Sequence, residues 1–189
     1  THAHTLSLHD ALPISVIMKI TYKTLLIGVA TVLFMGGCHS NASKAPVESS
    51  VAKDTIANVQ LYDLQRNPAN LYDEISKNKL TVIDFWASWC SPCRMEAPNL
   101  IEIYNDYKDN GLGFVGISLD GEYKKWTEGI EQLQLPWPQY SDLRQWDDTL
   151  ARMYNIESIP HTIIVNSKGE ILAQGLRGDE LRRFIDTQL

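Results

Sequence analysis

The clearest chemistry in the sequence belongs to two cysteines that are separated by two residues, Cys90 and Cys93. Residues 80–86, just before them, are a β-branched and aromatic run of buried-strand length, and residues 93–110 show the apolar spacing of a helix. Cys90 should therefore lie at a helix N-terminus, where unpaired backbone N–H groups and the helix dipole favour a thiolate. Cys93, one turn later, is placed to attack a mixed disulfide formed on Cys90. This pattern predicts dithiol–disulfide exchange with Cys90 as the nucleophile.

Two other interpretations of the cysteine pair find less support. A structural zinc site needs four ligands, but the sequence has no second pair of this kind, and His39 and His161 are the only other candidates beyond the N-terminal segment. A purely structural disulfide is the second alternative, and it would close a strained two-residue loop at the surface. We therefore expect a redox-active pair and no metal.

The third cysteine, Cys38, needs a separate explanation because three cysteines cannot all pair with one another. Residues 18–37 carry Lys19 and Lys23 ahead of an apolar stretch, which is the pattern of a secretory signal peptide. That stretch is shorter than the ~20 residues that a membrane-spanning helix needs, although such a helix is the alternative. Residues 35–37 with Cys38 resemble a bacterial lipobox, so we expect Cys38 to become lipidated. A free or intermolecularly bonded thiol is the other interpretation.

The remaining segments divide the chain into an N-terminal appendage and one domain. Residues 1–17 are expected to be a non-native leader, because residues 4–15 resemble a translated sequencing-library adapter. Residues 38–55 are rich in Ser, Ala, Lys and Glu, which predicts a flexible tether. Residues 56–189 then form the domain. This arrangement predicts an extracytoplasmic lipoprotein that is anchored to a membrane and faces the periplasm.

Composition limits the range of functions. A hydrophobic fraction of 44% is enough to build a core. The formal net charge is -6, and no cluster of Lys and Arg is interleaved with aromatic residues. Nucleic acid is therefore excluded as an expected partner.

The order of predicted elements indicates an α/β domain. After the first strand and helix, periodicity predicts a strand at 112–119, a helix at 122–134, a hairpin of strands 161–165 and 170–174, and a closing helix at 178–189. Weaker patterns suggest an edge strand within 56–64, a short helix at 71–75, a short strand within 137–143 and a helix at 147–154. The order is β-α-β, an inserted helical segment, and then β-β-α.

The region around the cysteines resembles the thioredoxin superfamily, specifically its TlpA/ResA-like membrane-tethered branch. The resemblance rests on the run DFWASWCSPCR from Asp84 to Arg94 and on Glu96 and Pro98, and it extends over residues 56–189. It implies a thioredoxin-like fold, with a central mixed sheet of four to five strands flanked by helices and a helical insertion before the strand that follows a cis-proline. It also implies a Cys90–Cys93 dithiol that works without a bound cofactor.

The resemblance assigns further residues to the site. Pro160 would form a cis-proline loop that faces Cys90 and presents the backbone of Ile159 to an extended substrate; a trans proline at the start of a strand is the alternative. The residues expected to contact substrate are Trp89, Ser91, Pro92 and Ile159.

Two acids are candidates for moving the proton of Cys93. Asp84 matches the buried acid of thioredoxins, and desolvation in an apolar strand would raise its pKa. Glu96 matches the acid of the tethered branch, although either carboxylate could instead be solvated or cap a helix. Gly116 falls where thioredoxin has a lysine. His161 could tune the nucleophile or be a half-exposed strand residue.

We therefore predict an enzyme, a thiol:disulfide oxidoreductase that reduces disulfides in extracytoplasmic proteins and is re-reduced by a membrane electron donor. A peroxiredoxin-like peroxidase is the enzymatic alternative, but it needs Thr where this chain has Ala87. A non-catalytic binding or chaperone module is the other, and the intact thiol pair argues against it. The roles of Trp126, Trp137 and Trp146, in the core or on a partner surface, stay open.

Overall fold

A computed structural model describes residues 54–189 of the protein. Several predicted segments lie outside the described residues: the leader (1–17), the signal peptide (18–37), Cys38 and most of the tether. Asp54 and Thr55, at the end of the predicted tether, are hydrogen-bonded to the domain: Asp54 accepts from the backbone N–H of Ile171 at 2.8 Å, and Thr55 forms a β-bridge with Glu170. The chain therefore joins the domain two residues before position 56.

Seven strands and five helices make up this part of the chain. In chain order they are β1 (Gln60–Tyr62), β2 (Pro68–Asn70), α1 (Leu71–Ile75), β3 (Leu80–Trp86), α2 (Ser91–Tyr107), β4 (Leu112–Ser118), α3 (Tyr123–Leu133), β5 (Gln139–Tyr140), α4 (Thr149–Met153), β6 (His161–Asn166), β7 (Ile171–Gln174) and α5 (Gly178–Gln188). Short 3₁₀ helices occupy Lys108–Asn110 and Gln145–Asp147.

The central sheet has five strands in the order β5-β4-β3-β6-β7. Strand β3 is parallel to β4 and antiparallel to β6, so the sheet is mixed. All seven residues of β3 are buried, because the strand is covered on both faces, and this explains its continuous apolar sequence. The predicted thioredoxin-like fold, a mixed sheet of four to five strands flanked by helices, is confirmed, and the sheet has five strands.

The first predicted strand forms within residues 56–64, but it does not belong to the central sheet. Residues 56–64 were expected to supply an edge strand, but β1 pairs antiparallel with β2 in a separate two-stranded sheet. The Asp63 carboxylate causes the reversal, because it accepts hydrogen bonds from the backbone N–H groups of Gln65 (2.9 Å) and Asn67 (2.7 Å). A turn of this kind depends on the hydrogen bonds of one polar side chain. Hydrophobic periodicity therefore does not predict it.

The inserted segment between β4 and β6 contains α3, β5, a 3₁₀ helix and α4. Asp148 begins α4, since its side chain accepts from the backbone N–H of Ala151 at 2.8 Å. Trp126 of α3 is fully buried, and Trp137, just before β5, is 3% exposed. The insertion is therefore part of the core and extends the sheet by one strand.

No helix between residues 54 and 189 combines the length and the apolar character that crossing a membrane requires.

Helix α3 packs closely against the cysteine turn at Gly129, and this contact gives a stability prediction. A Cβ atom at Gly129 would lie 2.8 Å from the Cβ of Ser88 and 3.2 Å from the Trp86 ring. Gly→Ala in an exposed helix normally stabilises by about 1 kcal/mol, but overpacking costs about 1–3 kcal/mol. The balance of these two effects predicts that Gly129→Ala lowers the free energy of unfolding by up to about 2 kcal/mol in a denaturant titration.

The matched control for this substitution is Glu128→Ala, an exposed position in the same helix. It should change the free energy of unfolding by less than about 0.5 kcal/mol. Stabilisation by Gly129→Ala would contradict the close packing.

Candidate active site

The turn that carries the cysteines is fixed to the end of the neighbouring strand by Asp120. This carboxylate is fully buried and accepts hydrogen bonds from the backbone N–H of Ser88 (2.9 Å) and the Ser88 hydroxyl (2.7 Å). The Ser118 hydroxyl donates a third bond at 2.8 Å. Strands β3 and β4 are parallel and end at one edge of the sheet, which brings these residues together. Sequence reasoning missed Asp120, although an acid directly after a buried strand was a visible signal.

Cys90 is the N-cap of α2. Its Sγ accepts from the backbone N–H of Cys93 at 3.1 Å, so the sulfur occupies the place of an oxygen in an ordinary cap. Pro92 lies in the first turn, where its missing N–H costs no hydrogen bond. Cys90 and Cys93 form a disulfide, and each residue is 4% exposed. The Cys90 sulfur thus lies at the helix N-terminus, as the spacing predicts.

The second loop of the site contains Pro160, and the Ile159–Pro160 peptide bond is cis. The carbonyl oxygen of Ile159 lies 3.6 Å from the Sγ of Cys90, although 69 residues separate the two in sequence. Strand β6 begins at His161, which pairs with Phe85 near the end of β3. The antiparallel pairing therefore delivers the proline loop to the cysteine turn.

The residues expected to contact substrate surround the disulfide. Trp89 is 51% exposed, Ser91 and Pro92 are exposed, and Ile159 is half-buried. Trp86, by contrast, is buried beneath the turn. These positions are compatible with the predicted contacts, which stay predictions.

Asp84 is a buried carboxylate in the middle of the sheet. It is 3% exposed, and its Oδ1 has no hydrogen-bond partner within residues 54–189. Burial, and to a smaller extent the negative charge of Glu96, raises the pKa of Asp84 from 3.8 to about 7. Burial of Asp84 therefore raises its pKa as expected, and this carboxyl group can exchange a proton near neutral pH.

Glu96 makes contacts of a different kind. Its Oε1 accepts from the backbone N–H of Gly178 at 2.9 Å and from the Asn99 side chain at 2.9 Å. Gly178 is the first residue of α5. Glu96 therefore satisfies a helix N-terminus, which was the alternative to a role in proton transfer.

A glutamine that sequence reasoning did not single out covers the position next to Asp84. Gly116 is the register partner of both Asp84 and Gln139, so the three lie in one row across β3, β4 and β5. A Cβ atom at Gly116 would lie 2.1 Å from the Gln139 Oε1, which itself accepts from the Trp86 indole at 2.9 Å. The place of the thioredoxin lysine is thus filled from the neighbouring strand.

His161 is partly buried beside the proline loop. Burial is the main cause that lowers its pKa, while a hydrogen bond with Gln174 acts in the opposite direction. Its ring makes an edge contact with Phe85, at a centroid distance of 6.3 Å. An imidazole in this setting is neutral at pH 7, and its tuning of the nucleophile stays a prediction.

Between residues 54 and 189, no group of three or more His, Cys, Asp and Glu side chains is arranged to hold a metal ion.

The sequence and the fold of this chain are similar to those of known proteins. A family model described as thioredoxin-like matches residues 78–171. The crystal structure of the thioredoxin domain of a thiol-disulfide oxidoreductase from Bacteroides vulgatus superposes with a TM-score of 0.65 and 32% identity, covering 71% of this chain and 95% of that domain. The chain belongs to the thioredoxin-like family of thiol-disulfide oxidoreductases.

Two further members of the family show the extent of the similarity. A thiol-disulfide oxidoreductase from Bacteroides fragilis superposes with a TM-score of 0.67 at 27% identity, covering 72% of this chain and all of that one (100%). Thiol-disulfide oxidoreductase ResA from Oceanobacillus iheyensis is 31% identical over 113 residues. That alignment covers 58% of this chain and 57% of the relative, so the chain spans less than two thirds of the relative's length.

The buried acid of this thioredoxin-like domain gives a pH-dependent prediction. The folded protein keeps the Asp84 proton up to about pH 7, whereas the unfolded carboxyl loses it near 3.8. The folded state therefore binds more protons between these values, and the free energy of unfolding falls as pH rises through that range. Asp84→Asn removes this loss, so we expect it to stabilise the oxidised protein by about 2–4 kcal/mol more at pH 8 than at pH 4.

Chemical denaturation at the two pH values measures the difference. Glu96→Gln is the matched control, because it removes the neighbouring charge while keeping an acceptor for Gly178. It should reduce the pH dependence without abolishing it. An equal effect of Asp84→Asn at pH 4 and pH 8 is the result that counts against the buried, protonated acid.

Proposed function

We propose that the protein reduces disulfides in extracytoplasmic proteins. The observation that carries this proposal is the position of Cys90, whose sulfur caps α2 and lies 3.6 Å from the carbonyl oxygen of the residue before the cis-proline. The cap favours the thiolate, and the loop leaves backbone groups beside the sulfur for an extended substrate.

The first step is an attack on the substrate disulfide. In the reduced protein the Cys90 thiolate attacks one substrate sulfur, forming a mixed disulfide and releasing the other substrate sulfur as a thiolate, which takes up a proton. Trp89, Ser91, Pro92 and Ile159 are proposed to contact the substrate in this complex. Pro160 guides it by exposing the Ile159 backbone.

The second step releases the product. Cys93 loses its proton to a base and attacks the Cys90 sulfur, which forms the Cys90–Cys93 disulfide and expels the second substrate thiolate. Asp84 is the proposed base, because burial gives it a pKa of about 7. Glu96 is proposed to act on it by charge. In total, two electrons pass from the protein dithiol to the substrate disulfide without a bound cofactor. The Cys93 proton passes through Asp84 to one substrate thiolate, and the other substrate thiolate takes up a proton from water, because Cys90 reacts as a thiolate.

The cycle closes when a dithiol donor returns two electrons to the Cys90–Cys93 disulfide. We propose that this donor is a membrane protein and that the domain is held at the periplasmic side of a membrane through lipidated Cys38. The signal-peptide pattern of residues 18–37 and the lipobox-like end of that segment support this location.

Substrate trapping tests the proposed reaction. Cys93→Ala removes the resolving thiol, so we expect mixed disulfides between Cys90 and other extracytoplasmic proteins to accumulate and to disappear on treatment with a reductant. Non-reducing electrophoresis followed by identification of the trapped proteins measures this outcome.

Cys90→Ser is the control and should trap nothing. Reduction of insulin makes the solution turbid. The rate at which turbidity appears should be at least about 100-fold lower with Cys90→Ser than with the wild-type protein in the same assay. Insulin reduction by Cys90→Ser at the wild-type rate would remove the proposed mechanism.

A further inference from the structure

An exposed aromatic pair lies beside the nucleophile. Trp89 is 51% exposed and Trp146 is 43% exposed, and their ring centroids are 6.1 Å apart with planes inclined by 55°. Trp89 directly precedes Cys90, whereas Trp146 comes from the inserted segment. Two contacting indoles left in water forfeit hydrophobic stabilisation, so a surface of this kind points to a binding partner.

The insertion uses its tryptophans in different ways. Trp126 and Trp137 are buried in the core, and only Trp146 of the three reaches the surface. Trp126 and Trp137 therefore contribute to the core, whereas Trp146 is available for contact with a partner. Since its neighbour Trp89 belongs to the cysteine turn, the insertion extends the surface around Cys90.

The segment that carries Trp146 is held in a defined conformation. Leu143 and Gln145 have φ angles of 59° and 57°, a left-handed backbone that non-glycine residues rarely adopt. The Asp142 carboxylate stabilises this backbone by accepting from the backbone N–H groups of Arg144 (3.0 Å) and Thr149 (3.2 Å). The indole is thus presented by a fixed loop.

The charged side chains close to Trp146 in sequence are matched with one another. Asp147 pairs with Arg152 at 2.5 Å, and Arg144 lies 4.0 Å from Asp142. Neither sign of charge is left in excess in this set of four. The surface that the two rings offer therefore favours an uncharged, apolar side chain.

We propose that Trp89 and Trp146 form a platform that binds an apolar side chain two residues from the target cysteine of a protein disulfide. The proposal rests on the proposed function, because it names the substrate segment that reaches Cys90. Side chains two residues apart in an extended chain point to the same face and lie about 6.6 Å apart, so the second residue from the cysteine bonded to Cys90 lies within reach of rings beside that sulfur. Trp146 is then a specificity-determining residue.

Selectivity between two substrates tests the platform. Two peptides with one intramolecular disulfide are compared, one with Leu and one with Ser two residues from the attacked cysteine. Removal of one aromatic contact should lower the ratio of their kcat/KM values, Leu over Ser, about 3- to 10-fold in Trp146→Ala. Trp146→Phe keeps a ring and should preserve most of the ratio. Met153→Ala, which removes another exposed apolar side chain, should leave the ratio unchanged.

Each outcome has a distinct meaning. An equal ratio in the wild-type protein and Trp146→Ala overturns the platform, as does a Trp146-dependent preference for a peptide with Lys at that position, which would indicate a cation site. If Trp146→Ala does not fold, Trp146→Gln gives the same readout. Failure of the wild-type protein to reduce either peptide or bis(2-hydroxyethyl) disulfide would remove the proposed function itself, which separates the two conclusions.

Discussion

The structure depends on one constraint, the placement of the Cys90 sulfur on the N-terminus of α2 at the edge where β3 and β4 end. The parallel pairing of these strands brings Asp120 to the cysteine turn, and its hydrogen bonds to Ser88 fix the backbone ahead of the sulfur. The antiparallel pairing of β6 brings the cis-proline loop to the same edge. A sheet with one parallel and one antiparallel neighbour of β3 thus assembles the site from segments far apart in sequence.

The same geometry assigns different tasks to two acids. The Oδ1 of Asp84 has no hydrogen-bond partner within residues 54–189, and desolvation raises its pKa to about 7, so the free energy of unfolding falls between pH 3.8 and about 7. Glu96 is bound to the start of α5 and acts on Asp84 by charge. A carboxylate that is costly to bury and has one unbonded oxygen is a better candidate for proton transfer than one that closes a helix end. The Gln139 side chain occupies the space that a side chain at Gly116, the register partner of Asp84, would need.

The sequence predicted the parts that follow from burial and periodicity. Strands β3 and β4, the β6–β7 hairpin and helices α2 and α5 were found within a few residues, because each has a continuous apolar run or a clear amphipathic face. The partner of β1, the role of Asp120 and the exposed position of Trp146 were not found. The bonds of Asp120 to Ser88 and the contact of Trp146 with Trp89 join residues distant in sequence, so the fold is needed to show them, although the acid after a buried strand marked Asp120 as a candidate. The pairing of β1 with β2 depends on the local Asp63 turn, which hydrophobic periodicity does not show.

The most direct test of the central claim compares alkylation of the two thiols in the reduced protein. The helix N-terminus should make Cys90 react with iodoacetamide faster than Cys93 between pH 6 and pH 8, where an ordinary thiol is mostly protonated. Mass spectrometry of peptides after short exposures gives both rates. Faster labelling of Cys93, or a Cys90 rate no higher than that of a cysteine in an unfolded peptide at the same pH, would contradict the placement of the nucleophile on the helix N-terminus.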